Sequence, residues 1–86
     1  MDDDQIRARI EALETEERTL RAEEGAAAES GHPEVIERDA ARLGQIKVEL
    51  DQLWDLLRRR EAAKRAGKDP DAEQMRSGGT VEGYLG

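Results

Sequence analysis

The apolar residues of this chain form a mirror image about a point just after Gly31. Pairing residues outward from that centre gives a constant sum of 63: Leu20 with Leu43, Leu13 with Leu50, Ile10 with Leu53, and Ile6 with Leu57. Apart from Glu17 in one slot, the spacing within each half alternates between three and four residues, which places side chains on one face of a helix. Two helices folded back about a turn at Ser30-Gly31-His32-Pro33 would bring each pair into one layer. The pattern predicts an all-α fold, an antiparallel two-helix hairpin of coiled-coil-like character. It names an architecture and no chemistry.

Local signals set the boundaries. Asp2 or Asp3 can cap the free amides of a first helix, and all three N-terminal aspartates favour the positive end of its dipole. Gly25 would cost about 1 kcal/mol inside that helix. The alanines after it carry the helix onward, so it is expected over about residues 3–28, with a turn at 29–32. Pro33 suits a first helical position, where no amide hydrogen is needed. Gly67 can supply a left-handed cap and Pro70 stops continuation, so the second helix is expected over about 33–66. The hairpin thus occupies residues 1–67. Asp69 and Pro70 can open a short third helix over about 70–76, and Ser77-Gly78-Gly79 joins it to a C-terminal tail.

Composition removes several function classes. Eighty-six residues make at most one small domain. With 36% hydrophobic residues, no Phe, one Trp and one Tyr, little is left to wall an apolar ligand pocket. No cysteine means no disulfide framework and no thiolate metal site. No run of eighteen apolar residues offers a membrane span, and the acidic start is the opposite of a secretory signal. The expected location is cytoplasmic. The net charge of −7 is uneven: residues 1–57 carry −9, residues 58–68 carry +5, and residues 69–86 carry −3. An acidic body disfavours non-specific nucleic-acid binding.

Only the basic segment works the other way, through Arg58, Arg59, Arg60, Lys64, Arg65 and Lys68. These are the candidate nucleic-acid contacts. The same cations complement the negative end of the second helix, and the mirror rule sets Arg60 opposite Asp3 and Arg59 opposite Asp4. No aromatics are interleaved to stack on bases. The structural reading is therefore preferred. Glu17 and Glu24 fall on the seam opposite Ile46 and Asp39, but a carboxylate-bridged metal pair would want Glu-x-x-His motifs, and the single histidine, His32, sits in the turn. Asp69-x-Asp71-x-Glu73 lacks the glycine and distal glutamate of a calcium loop, and Gly78-Gly79 opens no phosphate-binding helix. No nucleophile has an oriented base. The chain is read as no enzyme, with no catalytic, metal or cofactor site.

Trp54 lies one position beyond the seam residue Leu53 and mirrors Arg9. It either shields the seam beneath that guanidinium or anchors a partner. Leu50, Leu53, Trp54 and Leu57 form the candidate interaction set, joined by the tail residues Val81, Tyr84 and Leu85, which are expected to fold back near Trp54. An isolated two-helix seam buries little, so a homodimer is expected, as a four-helix bundle or along the second helix.

The opening Met1-Asp2-Asp3-Asp4-Gln5-Ile6, the central Glu49-Leu50-Asp51-Gln52-Leu53-Trp54-Asp55-Leu56-Leu57-Arg58, Asp69-Pro70-Asp71 and the closing Val81-Glu82-Gly83-Tyr84-Leu85 resemble a family of short actinobacterial proteins grouped as a domain of unknown function. The resemblance spans nearly the whole chain and implies a free-standing protein. It carries no catalytic or ligand residues. The functional expectation is a small non-enzymatic cytoplasmic module acting through helical surfaces on itself or on a protein partner. The alternative is a nucleic-acid- or transcription-associated regulator using the basic end of the second helix.

Overall fold

Asp2 starts the first helix with a reciprocal cap. Its carboxylate accepts a hydrogen bond from the Gln5 amide at 2.8 Å, and the Gln5 side chain accepts from the Asp2 amide at 2.9 Å. Two of the amides left without helical partners are thereby satisfied. The computed structural model describes residues 1–79 and 81. Helix α1 runs over Asp3–Ser30, straight through Gly25 and two residues past the expected end. Gly31 stops it with φ 75°, a backbone shape that side chains resist. The His32 amide then reaches back to the Ala27 carbonyl at 2.9 Å. Helix α2 runs over Pro33–Arg65 with Pro33 in its first turn.

The two helices pack antiparallel as a hairpin about 55 Å long. Ile6, Ile10 and Leu13 of α1 join Ile46, Leu53, Leu56 and Leu57 of α2 in one core, with Leu20 and Leu50 partly buried against it. Charged pairs read out the register. Arg60 donates to Asp3 at 2.7 Å, a pair on the mirror sum of 63. Arg9–Glu49 and Glu16–Arg42 sum to 58 along one flank, and Arg7–Glu61 to 68 along the other. Those totals straddle 63, as side chains reaching diagonally across a common seam require.

Beyond α2 the chain departs from expectation. The third helix is a single 3-10 turn at Pro70–Ala72, capped by Asp69, whose carboxylate accepts from the Asp71 amide at 2.9 Å. Glu73 is already extended. No apolar stripe follows to bury against the hairpin, so the cap starts a turn that nothing propagates. The chain then doubles back as a strap along α2. Arg59 donates to the Glu73 carboxylate at 2.8 Å and to the Gln74 carbonyl at 2.6 Å, and Gln52 donates to the Arg76 carbonyl at 3.0 Å. Gly78 lies so close to Val48 that a Cβ there would stand 2.5 Å from its methyl group. Val81 is buried.

Candidate functional site

At 100° per residue, three surfaces can be separated around α2. Asp39, Ile46, Leu53 and Arg60, seven residues apart, face α1 and are all nearly inaccessible. Val48, Gln52, Asp55 and Arg59 carry the strap. The remaining face, centred on Trp54, lies about 130° round the helix from the strap stripe. Trp54 keeps 40% of its surface exposed there.

This arrangement corrects the expected interaction set. Leu53 and Leu57 are 1% and 3% exposed, consumed by the hairpin's own core, so they cannot present a surface to another chain. Leu50 is half-buried against that core. Val81 is buried, but the strap leading to it runs along Val48 and Gln52 and not past Trp54. Tyr84 and Leu85 lie outside the described residues. Arg9 does not serve Trp54 either. Its guanidinium grips Glu49 with hydrogen bonds of 2.6 and 3.0 Å, and Glu49 is about 140° round α2 from Trp54.

The basic segment is largely spoken for. Arg60, 4% exposed, donates to Asp3, to the Pro70 carbonyl at 3.1 Å and to Asp71 at 3.0 Å, so one guanidinium ties together the start of α1, the end of α2 and the 3-10 turn. Lys64 also donates to Asp3. The hydrogen bonds from Arg60 and then Lys64 hold the Asp3 carboxyl down at about 2. Arg59 takes Asp55 and Glu73 in place of the expected Asp4, because it lies 100° off the seam on the strap side. Arg65 makes a long contact with Glu61 at 3.7 Å and is 80% exposed, and Arg58 is exposed too. Lys68 is exposed as well, and three cations, with their neighbours Arg59, Arg60 and Lys64 committed to carboxylates, make a poor phosphate track.

At the turn end the seam carries acid against acid. Asp39 is 2% exposed; one of its oxygens accepts from Arg38 at 3.1 Å, and the other has no hydrogen-bond partner. Glu24 likewise holds one buried, unpartnered oxygen. The Asp39 side chain raises the pKa of neighbouring Glu23, first because it accepts a hydrogen bond only from the protonated acid and then by charge repulsion, while Arg38 partly opposes the shift. Among the described residues no group of three or more His, Cys, Asp or Glu is placed to hold a metal ion. Nor, among them, is any helix long and apolar enough to cross a membrane. The sequence places Asp39 on the seam opposite Glu24, but the acid whose protonation it perturbs is Glu23, one position off the mirror pairing.

The chain is 40% identical to the "Uncharacterized protein Rv0898c" of Mycobacterium tuberculosis (strain ATCC 25618 / H37Rv) over 86 residues, covering 98% of this chain and 91% of the relative. The "Uncharacterized protein Mb0922c" of Mycobacterium bovis matches with the same identity and coverage. No solved structure matches significantly. The model of the family described as "Protein of unknown function (DUF2630)" matches residues 2–86, and the chain belongs to that family.

Proposed function

We propose that this protein is a small non-enzymatic interaction module of the cytoplasm that works through an exposed helical surface, as a homodimer. The observation that carries the reading is Trp54. A lone tryptophan, 40% exposed on a helix face that neither α1 nor the strap covers, is the residue type from which helical interfaces draw binding energy. The hairpin is also thin, 25 by 14 Å in cross-section, so one chain leaves much of each helix uncovered. A nucleic-acid role has less support, because Arg59, Arg60 and Lys64 are committed to carboxylates of the same chain. Light scattering on the intact chain across the micromolar range tests the dimer, with a mass near twice 9.6 kDa expected. Proximity labelling in cells, compared with a Trp54→Ala control, tests for a further protein partner. A strictly monomeric chain whose labelling pattern ignores Trp54 would overturn the proposal. A salt-dependent gel shift would favour the nucleic-acid alternative.

A further inference from the structure

The Trp54 face of α2 bears a heptad-spaced row: Lys47, Asp51, Trp54, Arg58 and Glu61, with steps of four, three, four and three. On one helix this spacing makes a single stripe about 21 Å long. Its charges read plus, minus, tryptophan, plus, minus. Reversed, the row reads minus, plus, tryptophan, minus, plus. The stripe is therefore complementary to its own reverse and not to itself in parallel.

From this complementarity we infer that the occupant of the Trp54 face is a second copy of this chain, its α2 laid antiparallel across a two-fold axis at Trp54. The inference rests on the homodimer reading above and specifies its surface. About that axis Lys47 falls opposite Glu61 of the second copy, and Asp51 opposite Arg58 of the second copy. The tryptophans meet at the centre. Each contact occurs twice, as an isologous interface requires. A parallel copy would set Lys47 on Lys47 and Asp51 on Asp51, which like-charge repulsion opposes.

The free chain is prepared for the exchange. Lys47 and Asp51 pair within α2 at 3.2 Å, and Glu61 is held loosely by Arg7 at 3.5 Å and Arg65 at 3.7 Å. Surface pairs of this kind are worth little in water and can be shared across an interface at small cost. Arg58 makes no described ion pair and gains one. On the α1 side of the stripe the half-buried Leu43 and Leu50 supply apolar rim, so the tryptophan lands beside hydrocarbon. On the other side the described strap contacts, at Val48, Gln52, Asp55 and Arg59, lie about 130° round the helix.

Sedimentation equilibrium up to about 200 µM tests the arrangement with the full chain. The wild type is expected to be a dimer. Trp54→Ala, Asp51→Arg and Arg58→Asp are each expected to weaken it at least tenfold while circular dichroism shows unchanged helicity. The decisive arm mixes the two charge variants. Asp51→Arg presents two cations flanking Trp54 and Arg58→Asp two anions, so each alone repels its own copy while the mixture forms a heterodimer. The double variant Asp51→Arg/Arg58→Asp restores self-association. A wild type that stays monomeric overturns both this arrangement and the homodimer. A dimer that survives all three single substitutions overturns the Trp54 face alone, and so does a mixture that fails to associate.

Discussion

Leu53 and Trp54 are adjacent in sequence and opposite in consequence, and replacing each by alanine turns that contrast into a measurement. Leu53 is 1% exposed in the core with Ile6, Ile10 and Leu13, so Leu53→Ala loses the transfer energy of its missing carbons and leaves a cavity between two helices. Such truncations cost about 2–5 kcal/mol. A chain of this size holds only about 4–12 kcal/mol of stability, so the substitution removes a large share of it. At about 4–8 °C per kcal/mol, the melting temperature should fall by at least 8 °C or so. Trp54→Ala should cost less, because two-fifths of its surface is already in water. Arg58→Ala, on an exposed position, should stay within about 0.5 kcal/mol. Leu53→Met, nearly conserving volume, should cost under about 1.5 kcal/mol. Urea unfolding followed at 222 nm over a dilution series, with the concentration-dependent association contribution subtracted, measures all four on the single chain. If Leu53→Ala costs no more than Arg58→Ala, the seam is not what holds the molecule together.

Three further perturbations probe the polar contacts. Arg60 and Lys64 hold the Asp3 carboxyl at about 2, below its ordinary 3.8, so its contribution is complete above that ordinary value and is lost as pH falls towards 2. Asp3→Asn should lower the urea midpoint at pH 7 and flatten its slope between pH 4 and 2. Glu23 has the opposite sign: its pKa is raised by Asp39, so the protonated acid favours the fold and stability declines as pH climbs through the raised value. Asp39→Leu should abolish that decline and raise the melting temperature at pH 7, since an apolar side chain replaces a buried carboxylate with an unpartnered oxygen. Gly78→Val should push the strap off Val48 and speed tryptic cleavage after Arg76, whereas Gly79→Ala, which meets open space, should leave cleavage unchanged.

The hairpin was legible because its signal is periodic. Leucines and isoleucines at steps of three and four define a face, and two such faces with one mirror centre define a partner. The strap has no such signature. It is held by Arg59 to Glu73, by Gln52 to a backbone carbonyl, and by a glycine small enough to approach Val48. Those contacts depend on where the chain goes after Pro70, which spacing does not encode. The apolar tail points to Trp54 as a target on composition alone, whereas the described strap from Glu73 to Gly78 runs along the other flank of α2. Arg9 illustrates the same limit. The mirror rule places it level with Trp54, but the carboxylate of Glu49 offers a charged fork-to-fork match that an aromatic edge cannot equal.

The heptad line Asp39, Ile46, Leu53, Arg60 explains why this short seam holds one register. Its middle is apolar and its ends are charged, and all four are buried. In the observed register Arg60 meets Asp3. Sliding α2 by one heptad one way would set Arg60 against Ile10, burying a guanidinium with no acid to receive it. Sliding it the other way would leave Arg60 beyond the start of α1 and set Leu53 against Asp3. Both alternatives strand a charge or expose a core leucine, penalties of several kcal/mol in a molecule with little stability to spare. A polar residue at a seam position commonly serves register at a cost in stability. Arg60 does so with acids at hand, while Asp39 faces carboxylates at the turn. The open end of the hairpin is therefore the end that specifies pairing, and the turn end, closed covalently by Gly31 and His32, can tolerate a mismatch that would unzip a free pair of helices.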